Sequence, residues 1–158
     1  MAYVSLDSDQ IKKAHKKHKY SKTQVEQLEK CMDEKTGPLF FMKTFMKIQH
    51  PVKGSIPFHP FPYQERLIES YNNHRFSIAM LPRQTGKTTC ASGFLIWYAM
   101  FRPDSQILIA AHKYAGASDI MSRVRYAYEM LPSWIKAGVT QYNRNSIEFD
   151  NGSKISAT

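Results

Sequence analysis

The chain has 158 residues, enough for about one domain with a genuine hydrophobic core. Its 42% hydrophobic and 13% aromatic content excludes a disordered protein, and no run is long and apolar enough to cross a bilayer. The formal net charge of +9 favours a polyanionic partner such as DNA, RNA or anionic lipid, without choosing among them. Two widely separated cysteines, Cys31 and Cys90, and a beginning unlike a signal peptide predict reduced thiols in a cytoplasm-like compartment.

Residues 1–37 are predicted to form a basic, mostly helical N-terminal appendage that ends at a Thr-Gly-Pro break. Within it, residues 12–19 read KKAHKKHK, with five lysines and two histidines. This run is either a solvated face or a contact for a polyanion, and the sequence leaves both open. His15 and His18 lie at helical spacing, but no third ligand follows at zinc-site distances, so no metal is expected there.

Residues 38–158 alternate between helical and strand patterns, which predicts an α/β domain with a parallel sheet and flanking helices. The helices are recognised by apolar residues at three- and four-residue spacing, and the closing hairpin by alternation on both sides of an Asp-Asn-Gly turn. In chain order we predict a helix over 39–49, a proline-rich loop over 50–62, a helix over 63–74, a strand over 75–81, a helix over 87–101, a buried strand over 106–111, a helix over 115–131 and a β-hairpin over 146–157.

The segment LPRQTGKT, residues 81–88, is a degenerate phosphate-binding loop between a predicted strand and a predicted helix. Leu81 replaces the first glycine of the usual pattern, but the residues that carry the chemistry are present. Gly86 lets the backbone approach a phosphate, and Lys87 can place its ammonium between the β- and γ-phosphates. The Thr88 hydroxyl can join the shell of Mg²⁺, while backbone N–H groups at the helix start bind the anion. Hence we predict that this loop binds a nucleotide.

Two further features refine this prediction. An arginine within the loop, Arg83, is expected to point towards the γ-phosphate, although a solvated loop arginine is the alternative. Upstream, Phe61-Pro62-Tyr63-Gln64 offers an amide that matches the edge of adenine and an aromatic ring that can stack on the base. At this separation from the loop, the pair Tyr63 and Gln64 is similar to the adenine-reading element of helicase-like ATPases and favours ATP.

Several separated blocks resemble, in the same order, the N-terminal ATPase region of the large terminase subunit of T-even-like tailed bacteriophages. They are FMKIQHPVKGSIPFHPFPYQERLI, LPRQTGKTT, ILIAAHKYAGASDIMSRVRYAYEMLPSWI and SIEFDNGSKISA, and the resemblance covers roughly residues 38–158. It implies an incomplete P-loop NTPase fold and an ATP-driven motor that pumps viral DNA through the portal into a capsid in the host cytoplasm. It also implies a small terminase subunit as a partner.

The same resemblance implies roles for individual residues. Tyr63 and Gln64 would contact adenine, and the segment from Ala111 to Lys113 would lie near DNA, although a solvent-facing strand end explains it equally well. Lys87 and Arg83 would be catalytic, and Thr88 would be the protein ligand of Mg²⁺. The nucleotide-binding loop would comprise Arg83, Gln84, Thr85, Gly86, Lys87, Thr88 and Thr89.

An ATPase of this type also needs an Asp-Glu pair after a buried strand, to hold Mg²⁺ and to activate water. No such block follows Thr89, and the family's nuclease domain is also absent from these residues. We therefore expect ATP binding by this chain and hydrolysis only after another segment completes the site. A split gene with a second polypeptide, a protein-splicing element, a gene fragment and a free-standing binding module are the open explanations. Outside the hairpin, no acidic residue after the loop follows a buried-strand run. The acidic residues concerned are Asp104, Asp119 and Glu129, while Glu148 and Asp150 lie in the hairpin.

Two other function classes compete with the packaging motor. The first lobe of a superfamily-2-like helicase would share the loop, but such proteins usually carry more glycine in it. A non-catalytic, basic DNA-binding module would make Gly-Lys-Thr incidental, and its binding would depend on salt and not on ATP.

Overall fold

The computed structural model describes residues 10–50 and 52–158. Within these ranges the chain forms five helices and six short strands around one core. The helices are α1 (Lys22–Met32), α2 (Gly37–Phe45), α3 (Pro62–Asn73), α4 (Lys87–Phe101) and α5 (Tyr114–Glu129). The strands are β1 (Lys47–His50), β2 (Gly54–Pro57), β3 (Gln106–Ile109), β4 (Val139–Tyr142), β5 (Ser146–Phe149) and β6 (Lys154–Ala157).

The larger sheet has four strands in the order β3-β6-β5-β4. Only β3 and β6 are parallel, while β6 pairs with β5, and β5 with β4, in antiparallel fashion. The α/β class is therefore confirmed, but the prediction of a parallel sheet is wrong, because the C-terminal strands follow one another through tight turns. The hairpin over 146–157 is confirmed, with Gly152 in its turn at a φ of 83°.

Strand β3 lies at the edge of this sheet, not in its interior as its apolar sequence predicts. Ile109 is buried, but Leu108 on the other face is 66% exposed. An apolar run indicates a buried strand only when both of its faces are covered. No element in the described part of the chain packs over the face of β3 that carries Leu108.

Helix α4 is central to the core and has the bounds that the sequence predicts. It packs against α2, α3 and α5, and Trp97 on it is fully buried. The indole Nε1 of Trp97 donates a 2.8 Å hydrogen bond to the backbone carbonyl of Cys31 at the end of α1. Because Cys31 is also fully buried, α1 is joined to the same core as the rest of the chain.

The N-terminal appendage is less helical than predicted. Helix α1 begins only at Lys22, where Ser21 and Gln24 form a reciprocal capping box. Between residues 10 and 21 the chain is irregular and makes one isolated bridge, from Lys13 to Val139. The correction has a physical reason, because the backbone of this segment pairs with the sheet instead of with itself.

The predicted helix over 39–49 and loop over 50–62 are also corrected. Helix α2 ends at Phe45, and β1 and β2 then form a two-stranded antiparallel hairpin in which Lys47 opposes Pro57. Ile48, which the helical spacing placed beside Phe41 and Phe45, is a strand residue. Helices α3 and α5 agree with their predictions to within a residue or two.

The strand predicted over 75–81 does not form. This segment runs from α3 to the start of α4 without a ladder partner among the described residues. Its alternating apolar side chains face solvent: Phe76 is 82% exposed, Ile78 91% and Met80 90%. Alternation indicates which residues share a face, but a strand also needs a neighbouring strand to receive its backbone hydrogen bonds.

Candidate functional site

The loop at the start of α4 presents a helix N-terminus whose first amides are open. Gly86 is the N-cap in the left-handed region, at a φ of 78°, and no side chain caps the helix. The first backbone hydrogen bond of the helix runs from the Cys90 N–H to the Gly86 carbonyl. The amides of Lys87, Thr88 and Thr89 therefore have no intrahelical acceptor. Since no acidic side chain lies in the first turn, the positive end of the helix dipole is not neutralised locally.

Gly86 is needed for space as well as for its dihedral angle. A Cβ at this position would lie 2.5 Å from Nε2 of Gln64, closer than real Cβ atoms approach another heavy atom. The preceding Gln84 also has a positive φ, at 63°. Two residues in the left-handed region within three positions turn the chain sharply into the helix.

Lys87 folds back over its own loop. Its Nζ donates hydrogen bonds to the backbone carbonyls of Leu81, at 2.9 Å, and Pro82, at 2.8 Å. The Thr85 hydroxyl donates to the same Pro82 carbonyl at 2.9 Å. The ammonium is thus held against the loop backbone just before the turn that Arg83 and Gln84 occupy.

The upstream pair meets the loop directly. The Tyr63 hydroxyl and the Gln64 amide Nε2 each donate a 3.0 Å hydrogen bond to the Thr85 carbonyl. Gln64 is only 6% exposed, and its Oε1 accepts a 2.9 Å hydrogen bond from the N–H of Phe61. Tyr63 and Gln64 therefore support the loop backbone, and their contact with adenine stays a prediction. Here, however, both ends of the Gln64 amide have protein partners.

Phe61 is a candidate that the sequence argument did not single out. Its ring stacks on the Tyr63 ring with a centroid distance of 5.9 Å and an interplanar angle of 6°. Because Phe61 is 62% exposed, its outer face is open to a planar ligand. The signal was present in Phe-Pro-Tyr-Gln, where two aromatic residues flank a proline that starts α3.

The remaining predicted residues lie at different depths around the loop. Arg83 and Gln84 are exposed, and Thr88 and Thr89 are half-buried on the first turn of α4. The Thr88 carbonyl accepts a 2.8 Å hydrogen bond from the Ser92 hydroxyl. Thr89 lines a cleft of about 640 Å³ between α4, α5 and the β1 strand. Thr89 therefore also contributes to the wall of this cleft.

The segment Ala111–Lys113 lies at the end of β3 and is exposed throughout. Lys113 is the N-cap of α5, and its carbonyl accepts from the Gly116 N–H at 2.8 Å. The exposure of Ala111–Lys113 is compatible with a ligand contact and equally with a strand end that only faces solvent.

Within the described residues, no group of three or more metal-ligating side chains forms a metal site, and no helix could span a membrane.

Residues 78–158, just over half of the chain, match the family model of the N-terminal region of the T4likevirus-type terminase large subunit. The chain belongs to this family. The match begins inside the exposed segment before the loop and continues through the hairpin of β5 and β6, so it includes the candidate loop, α4 and the whole four-stranded sheet. The predicted family is confirmed.

Proposed function

We propose that this chain is the nucleotide-binding part of a motor that packages phage DNA. The proposal keeps only the loop and helix of a P-loop NTPase arrangement, at Gly86 and α4, because the strand expected before the loop does not form. Membership of the terminase large subunit family supports the motor role. The observation that carries the nucleotide proposal is the helix N-terminus at Gly86, with open amides and a lysine as its first helical residue. Such a terminus attracts phosphate through its N–H groups and through the helix dipole.

Each loop residue has a distinct role in this proposal. The amides of Lys87, Thr88 and Thr89 hold a terminal phosphate of ATP, and the Thr88 hydroxyl joins the shell of Mg²⁺. Lys87 exchanges the carbonyls of Leu81 and Pro82 for phosphate oxygens, which are stronger partners because the hydrogen bond then joins two charged groups. Bound ATP supplies the phosphoanhydride bond whose hydrolysis drives movement.

Tyr63 and Gln64 support the loop in two ways. Their hydrogen bonds to the Thr85 carbonyl fix the turn just before Gly86. In the proposed complex the stacked rings of Phe61 and Tyr63 also offer a face to adenine. The Gln64 amide retains one N–H donor and one oxygen lone pair beyond its hydrogen bonds with the Phe61 N–H and the Thr85 carbonyl, but it is only 6% exposed, so we assign base contact first to the rings.

Hydrolysis needs carboxylates that these loop residues do not provide. The acidic side chains closest in sequence to the end of the chain already have partners: Glu148 pairs with Lys154 at 2.6 Å, and the Asp150 Oδ2 accepts from the His15 N–H at 3.0 Å. We propose that the acidic groups come from outside the described residues, for example from a second polypeptide, and that Arg83 then faces the γ-phosphate. Portal protein, small terminase subunit and duplex DNA are the proposed partners.

Thermal unfolding with and without ATP and Mg²⁺ tests the nucleotide proposal. A ligand at ten times its Kd stabilises the native state by about 1.4 kcal/mol, which raises Tm by about 3–6 °C for a domain of this size. Lys87→Ala should abolish that increase. Lys53→Ala, which removes an exposed lysine from the turn between β1 and β2, is the matched control and should retain it. No ATP-dependent increase in the unaltered chain would overturn the proposal and favour a basic DNA-binding module.

A further inference from the structure

The irregular N-terminal segment is fastened to the free edge of the sheet. We call residues 10–21 the basic strap. The Val139 N–H donates to the Lys12 carbonyl at 2.9 Å, and Lys13 forms a parallel bridge with Val139. One turn further, the His15 N–H donates to Oδ2 of Asp150. The strap therefore covers β4, the strand that ends the sheet opposite β3.

Two lysines act as anchors on the inner side of the strap. Lys136 is only 3% exposed, and its Nζ donates to the carbonyls of Gln10, at 2.8 Å, and Glu129, at 2.9 Å. In return, the Nζ of Lys12 donates to the Lys136 carbonyl at 2.8 Å. Burial lowers the pKa of Lys12, opposed by the nearby Asp150 carboxylate and reinforced by the charge of Lys16. These hydrogen bonds fix the beginning of the strap, at Gln10 and Lys12.

The strap crosses the sheet at a position where only glycine fits. A Cβ on Gly138 would lie 2.8 Å from the Cα of Ala14 and would also overlap the Asp150 carboxylate. The Asp150 N–H donates to the Gly138 carbonyl at 2.9 Å, so the same aspartate holds both the strap and the strand beneath it. Up to His15 the strap is thus a built part of the fold.

The outer side of the strap carries a concentrated positive charge. No aspartate or glutamate occurs between Gln10 and Val25. The exposed lysines of this region take part in none of the ion pairs formed among the described side chains, which all involve other cations. The exposed basic residues are Lys13, His15, Lys16, Lys17, His18, Lys19 and Lys22.

We propose that the basic strap and the first residue of α1 form a contact for the phosphate backbone of duplex DNA. The lysines after His15 lie on a short stretch held at both of its ends, by the His15 N–H on Asp150 and by the start of α1 at Lys22, so they meet phosphates at a lower ordering cost than a free tail. A membrane-binding segment would instead combine its cations with several apolar side chains, whereas Tyr20 is the one large apolar residue between Lys12 and Lys22. The choice of DNA among polyanions rests on the proposed motor function.

The test is the salt dependence of binding to a short fluorescent DNA duplex. The triple variant Lys16→Gln, Lys17→Gln, Lys19→Gln should reduce the slope of log K against log salt by about 2.7, since each phosphate contact contributes about 0.9. At low salt its affinity should fall about tenfold or more. The control Lys35→Gln, Lys47→Gln, Lys53→Gln removes the same charge from exposed sites outside the strap and should keep the native slope.

A second variant tests the anchoring. Asp150→Ala keeps every lysine but removes the acceptor of the His15 N–H, so the salt slope should persist while affinity falls a few-fold. A native slope in the lysine triple variant would overturn the inference, whether or not Asp150→Ala folds. Loss of binding to phosphatidylserine vesicles by the triple variant, with DNA binding intact, would also overturn it and assign the strap to membranes.

The two proposals fail separately. The lysine triple variant should retain the ATP-dependent rise in Tm, because among the described residues the long-range hydrogen bonds of the strap run to Lys136, Val139 and Asp150 and not to the loop at Gly86. Lys87→Ala should retain the salt slope of the unaltered chain. If DNA binding is as expected but ATP gives no stabilisation, the strap inference stands and the nucleotide proposal falls.

Discussion

Replacing Gly86 with alanine should destabilise the chain by about 2–4 kcal/mol through two separable effects. At a φ of 78°, a residue with a Cβ is strained by about 1–2 kcal/mol. The new Cβ would also lie 2.5 Å from Nε2 of Gln64, which is 6% exposed and has little room to retreat. Displacing Gln64 from the Thr85 carbonyl adds about 1–2 kcal/mol. Urea denaturation followed by the fluorescence of Trp97 and Trp134, both packed in or against the core, measures the sum.

A double-mutant cycle separates these effects. In a Gln64→Ala background the contact is gone, so Gly86→Ala should cost only the conformational part, and the two changes should couple by about 1–2 kcal/mol. Gly116→Ala is the matched control, because Gly116 lies in the first turn of α5 without a positive φ, and its new Cβ would meet only the Cβ of Ala111, at 3.3 Å. Its effect should stay below about 1 kcal/mol. Strictly additive effects of the Gly86 and Gln64 changes would refute the proposed contact.

Three further predictions concern the core and the exposed segment. Trp97→Phe leaves the buried Cys31 carbonyl without its donor and should lower the free energy of unfolding in urea by about 1–3 kcal/mol. A decrease below about 0.5 kcal/mol, the size of a typical surface effect, would contradict this. Burial raises the pKa of the Cys31 thiol to about 12 and of Cys90 to about 11, so unfolded thiols ionise first. The free energy of unfolding should therefore fall as pH rises from 9 towards 11, and a Cys31→Ala, Cys90→Ala variant should lose that part of the slope. Ile78 and Met80 are exposed, so we expect the unaltered chain to self-associate through them in sedimentation velocity. The double variant Ile78→Thr, Met80→Thr should reduce that self-association and change the free energy of unfolding in urea by less than about 0.5 kcal/mol. Unchanged self-association would show that these side chains do not mediate it.

Elements with local signals were predictable from the sequence. Helix α4 follows a glycine and ends just before Arg102 and Pro103, and both of its bounds were predicted correctly. The hairpin of β5 and β6 has alternating apolar residues on both sides of an Asp-Asn-Gly turn, so its register is encoded in neighbouring residues.

Features that depend on distant residues were not predictable in this way. The segment that carries Ile78 alternates like a strand, yet it has no ladder partner in the described part of the chain. The basic strap looks helical in isolation, but the Lys12 carbonyl is paired with Val139 far along the chain. At the site, the loop itself was evident from Gly-Lys-Thr. The hydrogen bond from Gln64 to the Thr85 carbonyl was not, because it joins two segments 21 residues apart that only the fold brings together.

Backbone amide NMR of the chain during titration with ATP and Mg²⁺ tests the central proposal most directly. The proposal predicts that the amide signals of Gly86, Lys87, Thr88 and Thr89 shift most, because these groups bind the phosphates. AMP, which lacks the terminal phosphates, should shift them far less. Unmoved signals at these four residues at saturating ATP, with shifts confined to the basic strap, would contradict it.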